Sequence, residues 1–557
     1  MAVPTTASVC DTNRYRAPAV TGLVDLLDRQ ARDCPRARAL VVTGDRVGLT
    51  YGTLAALADD MAARLGAAGL RRGDAVGLVC ANTAEFVVAL LGAARAGLVV
   101  APVDPAVPGA QIADRLGELG ARAVLVGPPA ADVTPAAQGV VVPSWTLRVD
   151  ISRAGTATTT LDTGGRAPSA RETSGSGTSR TGTSGPGTSG SGTPRTGTSA
   201  SGPELSGDDA LVLFTSGTTD RAKMVPLTHA NVAASVRGIC ATYELGPGDA
   251  TVAVMPFFHG HGLFAALLAT LASGGCVLLP ERGRFAAHTF WDDVQAVGAS
   301  WFTAVPTIHE ILLDRSATEY PGPELAPLRF VRSCSAPLNT ATQRALERTF
   351  GAPLLSAYGM TETTHQTTSE PLPDRGPLKQ GSVGRTTGVA LRVVDRNGHT
   401  CPIGTRGEVW VQGPTVARGY LADPAGTAEG FADGWFRTGD LGSLDEDGYL
   451  YLTGHIKNLI NRGGEKISPE HVEDVLAGCP GVAEAAVFPV PDAHYGQRVG
   501  AVVVIREGEI MYPGQILRYC RDRLSAVEVP DRLEIVAALP HTAKGGLDRR
   551  AVEKSYA

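Results

Sequence analysis

A chain of 557 residues is too long for one hydrophobic core and long enough for two or three domains of ordinary size. With 43% hydrophobic and 19% charged residues it has the composition of a globular protein, not of a disordered or fibrous one. Fifty Lys and Arg against 56 Asp and Glu leave a net charge of -6, which offers no footprint for nucleic acid or an anionic membrane and points to small-molecule partners.

The N-terminal MAVPTTASVCDTNRYR lacks a basic region followed by an apolar run, and the later stretch FVVALLGAARAGLVVAPV is interrupted by Arg95, so neither an export signal nor a membrane span is expected. Nine scattered cysteines without a CxxC pair suggest reduced thiols and a cytoplasmic protein. From residue 49 to 149 helical periodicity alternates with short apolar runs. YGTLAALADDMAARLGAAGL (51–70) predicts an amphipathic helix and DAVGLVC (74–80) a buried strand; TAEFVVALLGAARAGL with LVVAPV, and QIADRLGELGA with RAVLVG, repeat the unit. Such alternation argues for a parallel sheet with helices on its faces.

Composition then breaks. Residues 174–203 are almost wholly Ser, Thr, Gly and Pro with arginines as the only charges, so about 152–207 is expected to be a flexible insertion. Order resumes at DDALVLFTSGTT, and the βα pattern continues through AVPTIHEILLD and LRFVRSCSAPL. After about residue 380, GEVWVQGP and GYLYLTG suggest a small β-rich subdomain. Beyond His455, SPEHVEDVLAG, AEAAVFPVP, RVGAVVVI and PGQILRYCRDRL make a compact α+β unit of about 100 residues. The expected architecture is α/β: a large N-terminal domain of βα-layered subdomains plus the β-rich one, then a small mobile α+β lid.

The first stretch carrying chemistry is LFTSGTTDRAKMV (213–225). A strand runs into Thr215, Ser216, Gly217, Thr218 and Thr219, with Lys223 shortly after: backbone N–H groups, hydroxyls and a cation suit a polyphosphate. It is not a Walker loop, because GxxxxGK[ST] is absent. PFFHGHGL (256–263), SCSAPL (333–338), YGMTE (358–362), WFRTGD (435–440) and GHIKNLINRGGEKISPEHVE (454–473) follow in order. Together these motifs, spanning almost the whole chain, resemble the adenylate-forming superfamily of acyl-CoA synthetases, adenylation domains and luciferases, with a texture most similar to oxalate-CoA and 4-coumarate-CoA ligases.

The resemblance implies ATP and Mg²⁺ as cofactors, a carboxylic acid as substrate, and CoA or a carrier protein as acceptor. Thr215 to Thr219 would hold the ATP phosphates and Lys223 offset their charge. Glu362 would bind Mg²⁺, a hard ion suited to carboxylate and phosphate oxygens, with Thr361 beside it. Asp440, an acceptor-only carboxylate, would take the ribose hydroxyls, while Ser335, Ala336 and Tyr358 flank the adenine. His259 would face the acid, and His365 is a second candidate there. The body, 1–454, would join a lid, 459–557, through a hinge at 455–458, with Lys457 as pivot. Lys466 would act on the phosphate or carrier in the second lid state.

Two residues depart from the family. His455 stands where members carry an arginine toward ribose or phosphate; histidine lacks the guanidinium fork. In LPHTAKGGLDRR (539–550), alignment on Leu539, Pro540, Thr542, Gly545 and Arg549 puts Gly546 at the position of the activation lysine, with Lys544 two residues early. These losses keep open a second reading, ATP-dependent activation of nitrite to diazotise an aromatic amine, as in some family members of bacterial specialised metabolism. A third reading, a nucleotide-binding scaffold without turnover, is opposed by the retained Lys223, Glu362 and Asp440.

Overall fold

The computed structural model describes residues 21–42, 46–128, 136–137, 140–153, 155–169, 204–215, 222–541 and 546–557. The predicted alternation is observed. Thr50 caps the helix Tyr51–Ala67, its hydroxyl accepting from Thr53 N at 3.2 Å, and Leu54, Leu57, Ala58, Met61 and Leu65 make the buried face. The next helix, Ala84–Arg95, is apolar almost all round because it is covered on all sides. It lies so close to the first that a Cβ on Gly92 would come within 2.6 Å of Met61 Cβ.

Three sheets carry the body. A seven-stranded sheet runs in the order Met224–Thr228, Asp209–Phe214, Val99–Val103, Ala75–Val79, Ala123–Val126, Ser144–Ile151, Ala157–Asp162, parallel within and antiparallel at both edges. A five-stranded sheet joins the parallel strands Trp301–Ala304, Phe330–Ser333 and Leu354–Tyr358 to two short antiparallel ones. A four-stranded sheet brings together Ala250–Val252, Cys276–Leu279, Arg38–Val42 and Val47–Thr50. The buried strands VVAPV, AVGLV and WFTA read as near-continuous apolar runs because both faces are covered.

The β-rich subdomain is antiparallel, built on Ala390–Val394, Gly407–Gln412, Trp435–Leu444 and Leu450–His455 around Val393, Val409, Val411 and Leu450. The last segment has a core of its own: Ile460, Val472, Leu476, Val499 and Ile516 lie between a sheet and the helices Pro469–Ala477 and Pro513–Arg521. Two sequence expectations need correction. The strand Ala157–Asp162 falls inside the expected flexible insertion; it adds an edge to the large sheet through six residue pairs, buries Thr159 and receives a hydrogen bond from Arg64 Nε at 3.2 Å. Alternation in ATTTLD outweighs the hydroxyl-rich composition there; residues 170–203 lie outside the described residues. Cys34 is disulfide-bonded, against the expectation of wholly reduced cysteines, since spacing does not reveal which thiols a fold brings together. Seven others are free thiols. Among the described residues no helix is long and apolar enough to cross a membrane.

Candidate active site

Parallel strands present their C-terminal ends to ligands, and a cavity of ≈ 1530 Å³ opens where the strands ending at Phe214, Ala304, Ser333 and Tyr358 meet the start of the lid. Its walls include Thr215, Lys223, His259, Ser335, Ala336, Thr361 and Glu362 from the body, and His455, Lys457 and Gly546 beyond it. Residues scattered over more than 300 positions of sequence thus converge, as the motif order predicts. Ser216, Gly217, Thr218 and Thr219 lie outside the described residues, but the base of their loop is pinched shut. Thr215 N donates to Lys223 O at 3.0 Å and Lys223 N to Thr215 Oγ1 at 3.1 Å.

Lys223 holds its ammonium 4.0 Å from the centre of the Tyr420 ring and 4.0 Å from Asp423 Oδ2. Tyr420 also donates its hydroxyl to Glu362 Oε1 at 2.9 Å, so one tyrosine couples the cation to the metal candidate. Glu362 is 7% exposed, and burial pushes its carboxyl above the ordinary range although Tyr420 and Lys223 pull it down. No group of three or more ligand side chains gathers among the described residues. A single carboxylate on the wall of a cavity large enough for a nucleotide fits Mg²⁺, which keeps waters and takes phosphate oxygens, and does not fit an all-protein cage.

Asp440, on the strand Trp435–Leu444 and expected to take the ribose, accepts from Tyr358 Oη at 2.5 Å, and its backbone N–H donates to Thr438 Oγ1 at 3.0 Å. Burial raises the Asp440 pKa, while Tyr358 and His455 favour the charged form. Tyr358, expected beside the adenine, is held on Asp440 by its hydroxyl, and neither residue lines the cavity wall. His455 pairs with Asp440 across the strands and caps the turn Ile456–Asn458, its Nδ1 accepting from Lys457 N at 3.1 Å.

Three histidines, His259, His261 and His365, share the cavity wall. His259 lies on its wall, and the following segment His261–Leu268 is a π-helix, a local form frequent at functional sites. His261 is buried, with Nδ1 3.0 Å from Ser335 Oγ and Nε2 2.6 Å from Thr303 Oγ1. His365 stacks on it with ring centres 5.0 Å apart, and its Nε2 is buried without a partner among the described residues. Thr364 and His365 both have positive φ, at 49° and 60°, a strained pair held by hydrogen bonds from Ser235 Oγ to Thr364 O and from Thr364 Oγ1 to Thr415 O, each 2.6 Å. Gly359 allows this turn to pass, since a Cβ there would meet the His365 carbonyl at 2.5 Å. Behind the histidines, Arg332 is fully buried. Burial, then neighbouring charge including Arg332, depresses both His261 and His365 well below the usual imidazole range, so both are neutral.

Lys466 is not at this cavity: it lies exposed on the lid strand Glu465–Ile467, opposite Asn461. Lys544 falls outside the described residues, whereas Gly546 is on the cavity wall. His261, Tyr420, Thr303 and Arg332 were not singled out from sequence. His261 stood inside PFFHGHGL and carried that signal; the others have no motif of their own.

A large cavity at the C-terminal ends of parallel strands, lined by Lys223 and Glu362 and met by a small C-terminal α+β unit, is the arrangement expected of a nucleotide-dependent activating enzyme. The chain belongs to the AMP-binding enzyme family, whose profile matches residues 27–421, with the AMP-binding enzyme C-terminal domain matching 471–545. It is 40% identical to an oxalate–CoA ligase of Arabidopsis thaliana over 96% of this chain and 98% of that protein. A sulfoacetate–CoA ligase of Cupriavidus necator is 34% identical over 95% and 96%. Among solved structures, ATP-bound MatB of Rhodopseudomonas palustris superposes with a TM-score of 0.77 at 29% identity, covering 96% of this chain and 99% of that one. The activity is thus ATP-dependent, AMP-forming activation of a carboxylic acid and its transfer to CoA, with Mg²⁺ as the metal.

Proposed function

We propose that the acid is a small one carrying a second anionic group, of the oxalate class, bound at the histidine end of the cavity. One observation carries this: the buried Nε2 of His365, without a partner among the described residues, on the cavity wall beside His261 and Ser335, with the Arg332 charge behind them. An apolar acyl chain would leave that imidazole group unsatisfied, whereas a carboxylate oxygen would satisfy it. Sites with buried polar groups reject analogues lacking the partner strongly. The named relatives that act on oxalate and sulfoacetate support the same choice.

In this reading the loop at Thr215–Thr219 and Lys223 hold the ATP phosphates, and Asp440 orients the ribose. Mg²⁺ held through Glu362, beside Thr361, would neutralise phosphate charge as pyrophosphate leaves. Ser335 and Ala336 separate nucleotide from acid, and His259 closes the acid end. The body (1–454) and lid (459–557) pivot at 455–458, where Lys457 sits in a short turn directly after the strand Leu450–His455, a hinge-like position. Lys466 enters only after rotation, which accounts for its exposed place here. With Gly546 on the wall, the usual lysine is missing from the activation step, and CoA is preferred over a carrier protein as acceptor.

The nitrite reading finds no support in the relatives named above. The deciding experiment is AMP release by the purified protein with Mg²⁺-ATP and CoA, comparing oxalate, a cinnamate-like acid and a fatty acid, against nitrite with an aromatic amine. Turnover with oxalate is expected. Turnover confined to the apolar acids would overturn the acid-site assignment, and turnover only with nitrite and the amine would overturn the ligase.

A further inference from the structure

Arg332 stands on the strand Phe330–Ser333, wholly buried, and among the described residues no carboxylate pairs with it. Its guanidinium donates to two hydroxyls instead: Nε to Tyr243 Oη at 2.8 Å and Nη1 to Thr303 Oγ1 at 3.1 Å. A guanidinium only donates, so Thr303 accepts at this contact. The same oxygen lies 2.6 Å from His261 Nε2. Were Thr303 to accept there as well, its own proton would be buried with no partner among the described residues, an arrangement that folded proteins avoid. Thr303 therefore donates to Nε2. The neutral imidazole then carries its proton on Nδ1 and donates it to Ser335 Oγ at 3.0 Å. Ser335, having accepted, keeps its own hydroxyl proton for the cavity that it lines.

We infer that Arg332 is a positioning residue that acts through Thr303 and His261 to orient the row, leaving Ser335 as a hydrogen-bond donor toward a carboxylate oxygen of the acid. If the row ran the other way, Ser335 would donate to His261 Nδ1 and turn its lone pairs on the acid, which repels a carboxylate. The cation at the far end forbids that reversal, and by polarising the Thr303 hydroxyl it strengthens the next bond. The inference rests on the proposed acid site, and it adds a group, Arg332, that touches neither substrate nor cavity. The side chains in the row come from three segments: Arg332, with Ser335 just beyond its strand, Thr303 on the neighbouring strand, and His261 from the π-helix.

The test has two readouts. In the full-length protein labelled with ¹⁵N-histidine, the spectrum at neutral pH, assigned by loss of the signal in His261→Gln, should show His261 protonated on Nδ1 alone. Arg332→Gln, whose amide can either donate or accept, should give a mixture of tautomers. It should also raise KM for oxalate about 10- to 100-fold, as expected for one hydrogen bond to a charged group, with KM for ATP nearly unchanged. Should Arg332→Gln fail to fold, Thr303→Val and Thr303→Ser replace it: valine should reproduce the loss and serine restore the wild-type KM. An Nε2-protonated or cationic His261, or an acid KM indifferent to these changes, would overturn the assignment. The tautomer spectrum needs no acid. If oxalate is not turned over, the substrate reading fails while the orientation of the row is still decided.

Discussion

Replacing Gly546 by lysine tests the chemistry of the lid directly. The segment that carries it is held in place on both sides: His541 bridges to Leu547, Asp548 N donates to Pro540 O at 2.9 Å, and Arg549 makes two hydrogen bonds to Glu473 at 2.7 and 2.5 Å. Position 546 is thereby fixed on the wall of the cavity, near Lys457 and His455. An ammonium about 4 Å from a phosphate oxygen gains about 4 kcal/mol at an effective dielectric of about 20. Measured losses of one preorganised donor run to roughly 10²- to 10³-fold in rate, which is the same range. Gly546→Lys is therefore expected to raise the turnover number for acid-dependent AMP formation by about 10²-fold or more, with the acid KM little changed. Lys544→Ala should do little. The assay is pyrophosphate release at saturating Mg²⁺-ATP, followed for both variants side by side. No gain in Gly546→Lys, together with collapse of activity in Lys544→Ala, would refute the reasoning and make Lys544 the working cation.

Tyr420→Phe removes the hydrogen bond to Glu362 Oε1 that opposes the effect of burial. The Glu362 carboxyl must be ionised to hold the metal, so activity falls as pH falls. The acidic limb should move to higher pH in the variant and the Mg²⁺ requirement rise about 10-fold; an unmoved limb would separate Tyr420 from the metal. Glu310, on the helix Pro306–Asp314, has its pKa raised from 4.5 to about 7 by burial and then by Glu484 of the lid and by Asp314, against Arg506. Because the folded value is the higher one, its contribution to stability is present below the unfolded value and is lost as pH rises through about 7. Glu310→Gln should thus raise Tm at about pH 8, by up to about 3 kcal/mol of stability, and leave it unchanged near pH 4. Equal effects at both pH values would count against the contact. Arg549→Met leaves Glu473, whose side chain is 14% exposed, without its partner and should cost the lid about 1–3 kcal/mol in denaturant unfolding; a loss below about 0.5 kcal/mol would show that the pair is not holding the closing loop.

The sequence by itself determined the class of protein and supplied the candidates for the nucleotide end of its site. Helix and strand periods over residues 51–126 translate directly into elements, because each depends on neighbours only a few positions away. Lys223 and Glu362 could be picked out as candidates because each stands in a contiguous motif beside a strand, so the local backbone carries the residue to the cavity wall; Asp440, within a strand, does not line it. Gly546, singled out from its motif, also lies on the cavity wall. What the tertiary structure decided lies in contacts that no spacing encodes. Tyr420 reaches Glu362 across 58 residues and Tyr358 reaches Asp440 across 82. The row from Arg332 through Thr303 and His261 to Ser335 depends on strand pairing and on side-chain direction, and only the folded chain supplies both. Hydroxyl-rich ATTTLD likewise became a strand because a partner, Ser144–Ile151, offered it an open edge of the sheet. At the histidine part of the cavity the sequence supplied candidates, His259 and His365, but not the buried hydrogen bonds between distant segments that surround them.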